Sequence, residues 1–358
     1  MKRTMFTKVS AIGVLTLLFS GISQAFIPPI PATDGSRQII ANQIAEQTNT
    51  LETKENTIIS SIGSGLSTKI DRINNNMKIP VTASGTISSA GSYILSNNIT
   101  GPITITSSDV SFDLNEFKIT GSLTINGAVS NVDIYNGAIE TSSGSCIDMI
   151  GTMSVIVFDD LYIKQTDSGA AAIEIPSAGS DVLITGCWIV GSTNNNAFFD
   201  HYGVWCQNVS GDITIERCII YNFYYGIVQS GDGLLVRNCQ IMKCGDSTNG
   251  AGIYFDSNFT SCHRNIVRNN ILRENGIGIR FSGSDFEDNF FFQNVVTGST
   301  NSVGAIYSTL GTIWTTGGNQ IFGAYAYQNN GPNYDPAPSL TDTVVSATTG
   351  FYVNLDLV

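Results

Sequence analysis

From residue 82 onward, apolar and polar residues alternate in short bursts separated by Gly, Asn and Ser, the pattern of many brief strands joined by turns. The bursts recur around nine positions 21 to 31 residues apart: Asn115, Gly137, Asp160, Cys187, Cys218, Cys239, Asn270, Asn294 and Asn319. Three residues before these anchors stand Phe112, Ile134, Val157, Ile184, Ile215, Val236, Val267, Phe291 and Thr316. Two residues after them stand Phe117, Ile139, Tyr162, Ile189, Ile220, Ile241, Leu272, Val296 and Ile321. Five residues before, Val110, Val132, Val155, Val182, Ile213, Leu234 and Trp314 extend the pattern, and Asn265 and Asn289 interrupt it.

Each repeat carries a third piece, a small residue followed by Ile or Val and a further alternation. It reads Cys146-Ile147-Asp148-Met149, Ala172-Ile173-Glu174-Ile175, Gly203-Val204-Trp205-Cys206 and Gly226-Ile227-Val228-Gln229. Gly252-Ile253-Tyr254-Phe255, Gly278-Ile279-Arg280-Phe281 and Ala305-Ile306-Tyr307-Ser308 continue it. Three short strands in about 25 residues make one coil of a parallel β-solenoid, in which inward apolar residues stack coil on coil. A sandwich or barrel would not hold equivalent residues at such intervals.

On the anchor column and the small-Ile-x-apolar strands, residues 82–335 resemble the right-handed parallel β-helix, or pectate-lyase-like, superfamily. The expected fold is all-β, a right-handed parallel β-helix of about nine to ten coils over 81–335, with 336–358 a closing strand or cap. The resemblance is specific for architecture and weak for chemistry, because that superfamily spans lyases, hydrolases, epimerases, tailspikes and adhesins. At the anchor, Asn suits a tight turn and can bond from coil to coil. Cys187, Cys218 and Cys239 then form a thiol stack or include one disulfide. Cys244 and Cys262, in neighbouring loops, are the other pair to consider for a disulfide.

The beginning of the chain differs. Lys2, Arg3 and Lys8, an apolar run over Val9–Phe19 and Ser23-Gln24-Ala25 read as a secretory signal peptide over 1–25. Over 26–80 the expectation is an amphipathic α-helix: Ile40, Leu51, Ile62 and Ile73 stand eleven residues apart, as do Ile44, Glu55, Leu66 and Met77. That stripe needs a partner, either copies of itself in an oligomeric stalk, such as a homotrimer, or the solenoid that it caps. Gly63 and Gly65 weaken the helix between its two halves.

Composition narrows the function. The 358 residues are 13% charged, with 17 Lys+Arg against 29 Asp+Glu and a net charge of -12. Such an acidic chain is a poor partner for nucleic acid. No apolar run after the leader is long enough to span a bilayer. The expected location is secreted, periplasmic or at the cell surface.

Strand alternation sends the residue between two inward positions outward, giving the row Asp148, Glu174, Trp205, Val228, Tyr254, Arg280 and Tyr307. Aromatic faces with polar edges suit sugars, although large residues on an exposed sheet also serve packing alone. Tyr224 and Tyr225, with the 192–202 insertion that ends in Phe198, Phe199, Asp200, His201 and Tyr202, would wall the same face. Asp200, His201 and Arg280 are the candidates for catalysis. His263 reads as a loop residue, and neither a metal site nor a cofactor motif is visible. Calcium enters only through the resemblance, whose lyases hold it with clustered acids near a basic residue. Asp148 and Glu174 lie too many coils from Arg280 to form that set. The leading expectation is binding of a surface glycan, an extracellular polysaccharide or another extracellular partner. A polysaccharide lyase or glycoside hydrolase, and a structural envelope or appendage component, are the alternatives.

Overall fold

The computed structural model describes residues 78–167, 169–176, 179–192, 201–209, 211–245, 250–258 and 261–300, with short strands at 306–308, 320–322, 325–327 and 334–335. The leader, the helical segment through residue 77, Asp200, Asn319 and the tail after 335 lie outside the described residues. Every described element is a strand.

Successive coils pair in parallel, and their strands line three faces. The first runs through Val110–Asp113, Ile213–Glu216 and Phe290–Phe292, and the second through Lys118–Thr120, Ile219–Tyr221 and Val295–Thr297. Long strands Val129–Thr141 and Met153–Gln165 turn from the first face to the second and join both into one sheet. The third face is a separate sheet of 11 strands, from Gly85–Ile87 to Tyr334–Asp335.

Register corrects the predicted columns at particular coils. On the first face Phe112, Ile134, Phe158, Ile184, Ile215, Val236, Val267, Phe291 and Ile321 are partners. On the second, Ile119, Ile139, Ile163, Ile189, Ile220, Ile241, Leu272, Val296 and Ala326 are partners. Phe158 therefore replaces Val157, Ile163 replaces Tyr162, and Ile119 replaces Phe117. Ile321 belongs to the first face rather than the second. Ile156, between Val132 and Val182, replaces Val155.

The reason lies in the turns. The residue just before the column position is left-handed at Asp160 (φ 51), Arg217 (φ 55), Asn238 (φ 56), Asn269 (φ 56) and Gln293 (φ 54); at the first predicted anchor, Asn115 (φ 50) is itself the exposed left-handed residue, and Leu114 before it is buried. The column residue itself points inward. Asp160 is thus a turn residue, and Leu161 takes the column place beside Gly137. Asn270 and Asn294 of the column are buried and serve the interior. Asn270 Oδ1 accepts the Cys239 N–H at 2.9 Å, and its Nδ2 donates to Val236 O at 3.0 Å and to Asn294 Oδ1 at 3.1 Å. Asn265 and Asn289 do not break the pattern; they form a parallel ladder, Nδ2 to Oδ1 at 3.0 Å. Asn275 repeats the device, accepting the Cys244 N–H at 2.9 Å.

All seven cysteines are buried free thiols, so Cys187, Cys218 and Cys239 form the unbridged stack and Cys244 and Cys262 are not joined. Burial pushes the thiols of Cys146, Cys244 and Cys262 up to about 12.

The small residue of the third strand has a steric cause. A Cβ on Gly203, Gly226 or Gly252 would lie 2.4, 2.5 or 2.8 Å from the carbonyl oxygen of the next coil's glycine. Freed of side chains there, the backbone steps so that residues three apart, such as Tyr202 with Trp205 and Ala251 with Tyr254, meet in one cluster outside the main core.

Candidate functional site

The predicted outward row is a true ladder. Asp148, Glu174, Trp205, Val228, Tyr254, Arg280 and Tyr307 are consecutive in-register partners. Thr86, Thr104 and Thr124 extend it toward the N-terminus and Asp335 toward the C-terminus. Ser122-Leu123-Thr124-Ile125 already carries the small-apolar-x-apolar signal that would have found the extension.

The row is not uniform. At its acidic end, Ser145, Asp148, Ala171, Glu174, Tyr202 and Trp205 line an open cleft of about 430 Å³. Glu174 accepts a hydrogen bond from Ser145 Oγ at 3.0 Å. Burial raises the Asp148 carboxyl above its ordinary range. Glu174 is raised too, chiefly by burial, with the charge of Asp148 adding to it and the Ser145 bond opposing it. Both half-buried acids hold a proton more tightly than surface carboxyls do.

From the cleft a chain of rings crosses several coils. Tyr202 stands 5.1 Å from Trp205 and stacks on Tyr225 at 5.9 Å, and Tyr225 stacks on Tyr254 at 4.7 Å with 17° between planes. The Arg280 guanidinium lies over Tyr254, 5.3 Å from its centroid. Tyr225, 9% exposed, backs this wall rather than fronting it. Tyr224 is 1% exposed and meets Tyr225 edge-on at 4.7 Å, so the structure removes it from the ligand-facing set. It fills space beneath the aromatic row, where Ala251 and Ile277 join it.

Neither His201 nor Arg280, the catalytic candidates among the described residues, lines the cleft with Asp148 and Glu174. Arg280 sits four rungs from Glu174 and five from Asp148, about 20 Å at the spacing between β-strands. His201 is fully buried, its ring 4.7 Å from Phe223, and burial holds its pKa down at about 4. Gly191 makes room for it: a Cβ there would lie 2.7 Å from the imidazole Cε1. A neutral ring in that place cannot exchange protons with a bound molecule, which corrects the acid/base expectation for His201. Ser145, Ala171 and Tyr202 were not among the predicted site residues. Only Tyr202 carried a signal, as the last aromatic of the insertion.

A family model for the right-handed β-helix region matches residues 167–321. The fold of the described residues is a right-handed parallel β-helix. Among solved structures, this β-helix is similar to the crystal structure of the Dettilon tailspike protein, with a TM-score of 0.43 and 11% identity over 71% of this chain and 52% of that one. It therefore spans about half of the tailspike's length. No curated protein matches the β-helix chain. Among its described residues, no helix is long and apolar enough to cross a membrane.

Proposed function

We propose that this β-helix protein is exported and binds a glycan along its third face, with Tyr202 and Trp205 as the sugar platform and Asp148 and Glu174 as the polar edge. The observation that carries this reading is the cleft itself, where an aromatic wall meets two half-buried carboxyls on a rigid ladder. Sugar rings offer apolar faces to aromatic groups and hydroxyl edges to acceptors. A net charge of -12 and the acidic end of the row favour neutral or amino-substituted sugars there, and Arg280 could meet an anionic substituent farther along. The leader sequence supports export. On a glycan panel, Trp205→Ala with Tyr202→Ala should weaken retention at least tenfold while the melting temperature of the protein changes little. Equal retention by the double variant would remove the reading.

One observation favours a second reading, a glycoside hydrolase. Asp148 and Glu174 are register partners on consecutive coils with raised pKa values, so one can carry the proton that a departing sugar oxygen needs while the other stays ionised. Neighbouring rungs are about 4.8 Å apart, nearer the short separation of retaining pairs than the wider one of inverting pairs. A reducing-end assay on the retained glycans, run with and without calcium, should then show product that Asp148→Asn and Glu174→Gln each abolish. Binding without product leaves the protein a lectin.

A further inference from the structure

We propose that His263, Asp285 and Glu287 bind a divalent transition-metal cation of the zinc type, which joins two successive coils at the edge of the solenoid. The site stands apart from the third-face cleft and does not depend on the glycan reading. His263 lies on the short strand Cys262–His263 and Glu287 on Phe286–Glu287; the two strands pair in parallel with His263 opposite Glu287. Asp285 precedes Glu287 by two residues, which on an extended chain returns its side chain to the same side. One ligand atom from each of the three lies within 4.8 Å of the others, and His263 Nε2 is 2.8 Å from Asp285 Oδ1.

The frame that carries these groups is fixed. The Cys262 N–H donates to Asp285 O at 3.0 Å and the Arg264 N–H to Glu287 O at 3.0 Å, binding the ligand strands to each other. The His263 N–H donates to Asp232 Oδ1 at 2.8 Å, and the Asp285 N–H to Ser257 Oγ at 3.1 Å, so the coil before and the loop alongside also hold them. Immediately after, Asn265 and Asn289 form their buried ladder. The guanidinium of Arg264, next to His263 in sequence, is drawn to Asp232 Oδ2 at 3.3 Å.

The donor set selects the ion. One imidazole nitrogen and two carboxylates match zinc and its neighbours, whereas calcium and magnesium favour all-oxygen shells with more ligands. Three protein ligands leave a fourth position toward solvent, since Asp285 and Glu287 are exposed. An interaction between residues about 24 apart in sequence would lock the coils that bear them.

The test uses tag-free full-length protein stripped with a chelator and titrated with Zn²⁺ by calorimetry, with thermal unfolding followed in parallel. One Zn²⁺ per folded chain and a rise in melting temperature of several degrees are expected, and Ca²⁺ at the same concentration should produce neither. His263→Ala and Glu287→Gln should each weaken Zn²⁺ binding at least tenfold, and their melting temperatures in chelator should match the parent protein, showing that the variants fold. Absence of Zn²⁺ binding, equal binding by the variants, or equal binding of Ca²⁺ would overturn the proposal.

Discussion

Two groups of buried polar side chains occupy the same solenoid under opposite conditions. In the C-terminal coils, Asn265, Asn270, Asn275, Asn289 and Asn294 are buried with their amides engaged from one coil to the next. In the middle coils, His201 and Gln229 are just as buried, and their side-chain polar atoms meet no hydrogen-bond partner among the described residues. The contrast teaches that burial of polarity is not itself costly or useful here. The place of each amide at a turn between strands, where it meets free backbone groups of the neighbouring coil, makes the difference.

The largest expected effect comes from breaking the satisfied group. Asn270→Ala strands the Cys239 N–H and opens a cavity, and should cost about 2–5 kcal/mol in denaturant unfolding. A loss below about 1 kcal/mol would mean that the ladder contributes little. His201 comes next. Its folded pKa of about 4 lies below the ordinary 6.5, so the folded state prefers the neutral ring. That preference is harmless above pH 6.5 and destabilises the fold progressively as pH falls toward 4, by up to about 3 kcal/mol. Stability measured between pH 7 and 4 should fall less in His201→Phe than in the parent protein; parallel curves would contradict the assignment. Gln229 gives the smallest effect and the opposite sign. It sits in the inward row between Cys206 and Phe255, so Gln229→Leu should stabilise by about 1–2 kcal/mol. A destabilised variant would show that the amide has a partner after all.

Much of this molecule was legible in the sequence, and unevenly so. The third-face row is legible in correct register from Asp148 to Tyr307 because a small residue precedes each Ile or Val, and at Gly203, Gly226 and Gly252 a neighbouring carbonyl oxygen leaves no room for a Cβ. The turns were harder. At Asp160 and Leu161 the left-handed residue and the inward residue are adjacent, and a polar side chain suits either place, so the column slipped by one. At Tyr162 an outward aromatic imitates an inward one; it is 37% exposed and packs edge-on to Trp188, which stands beside it on the next coil. Asp148 and Glu174 are visible in the sequence as acids of the outward row, but their neighbourhood depends on a register that the intervening residues conceal. His263 with Asp285 and Glu287 was invisible for a different reason. Its members come from separate coils, and only the pairing of two two-residue strands brings them together.

The seven buried thiols have a use beyond packing. They are distributed from Cys146 to Cys262, and each is sealed from solvent in the intact solenoid. A thiol pushed up to about 12, as Cys146, Cys244 and Cys262 are, reacts only when its coil opens and the thiolate can form. Alkylation rates under native conditions would therefore serve as a set of clocks along the axis, each timing the local opening of its own coil. The molecule carries, without labels, a readout of whether it frays from one end or melts as a unit.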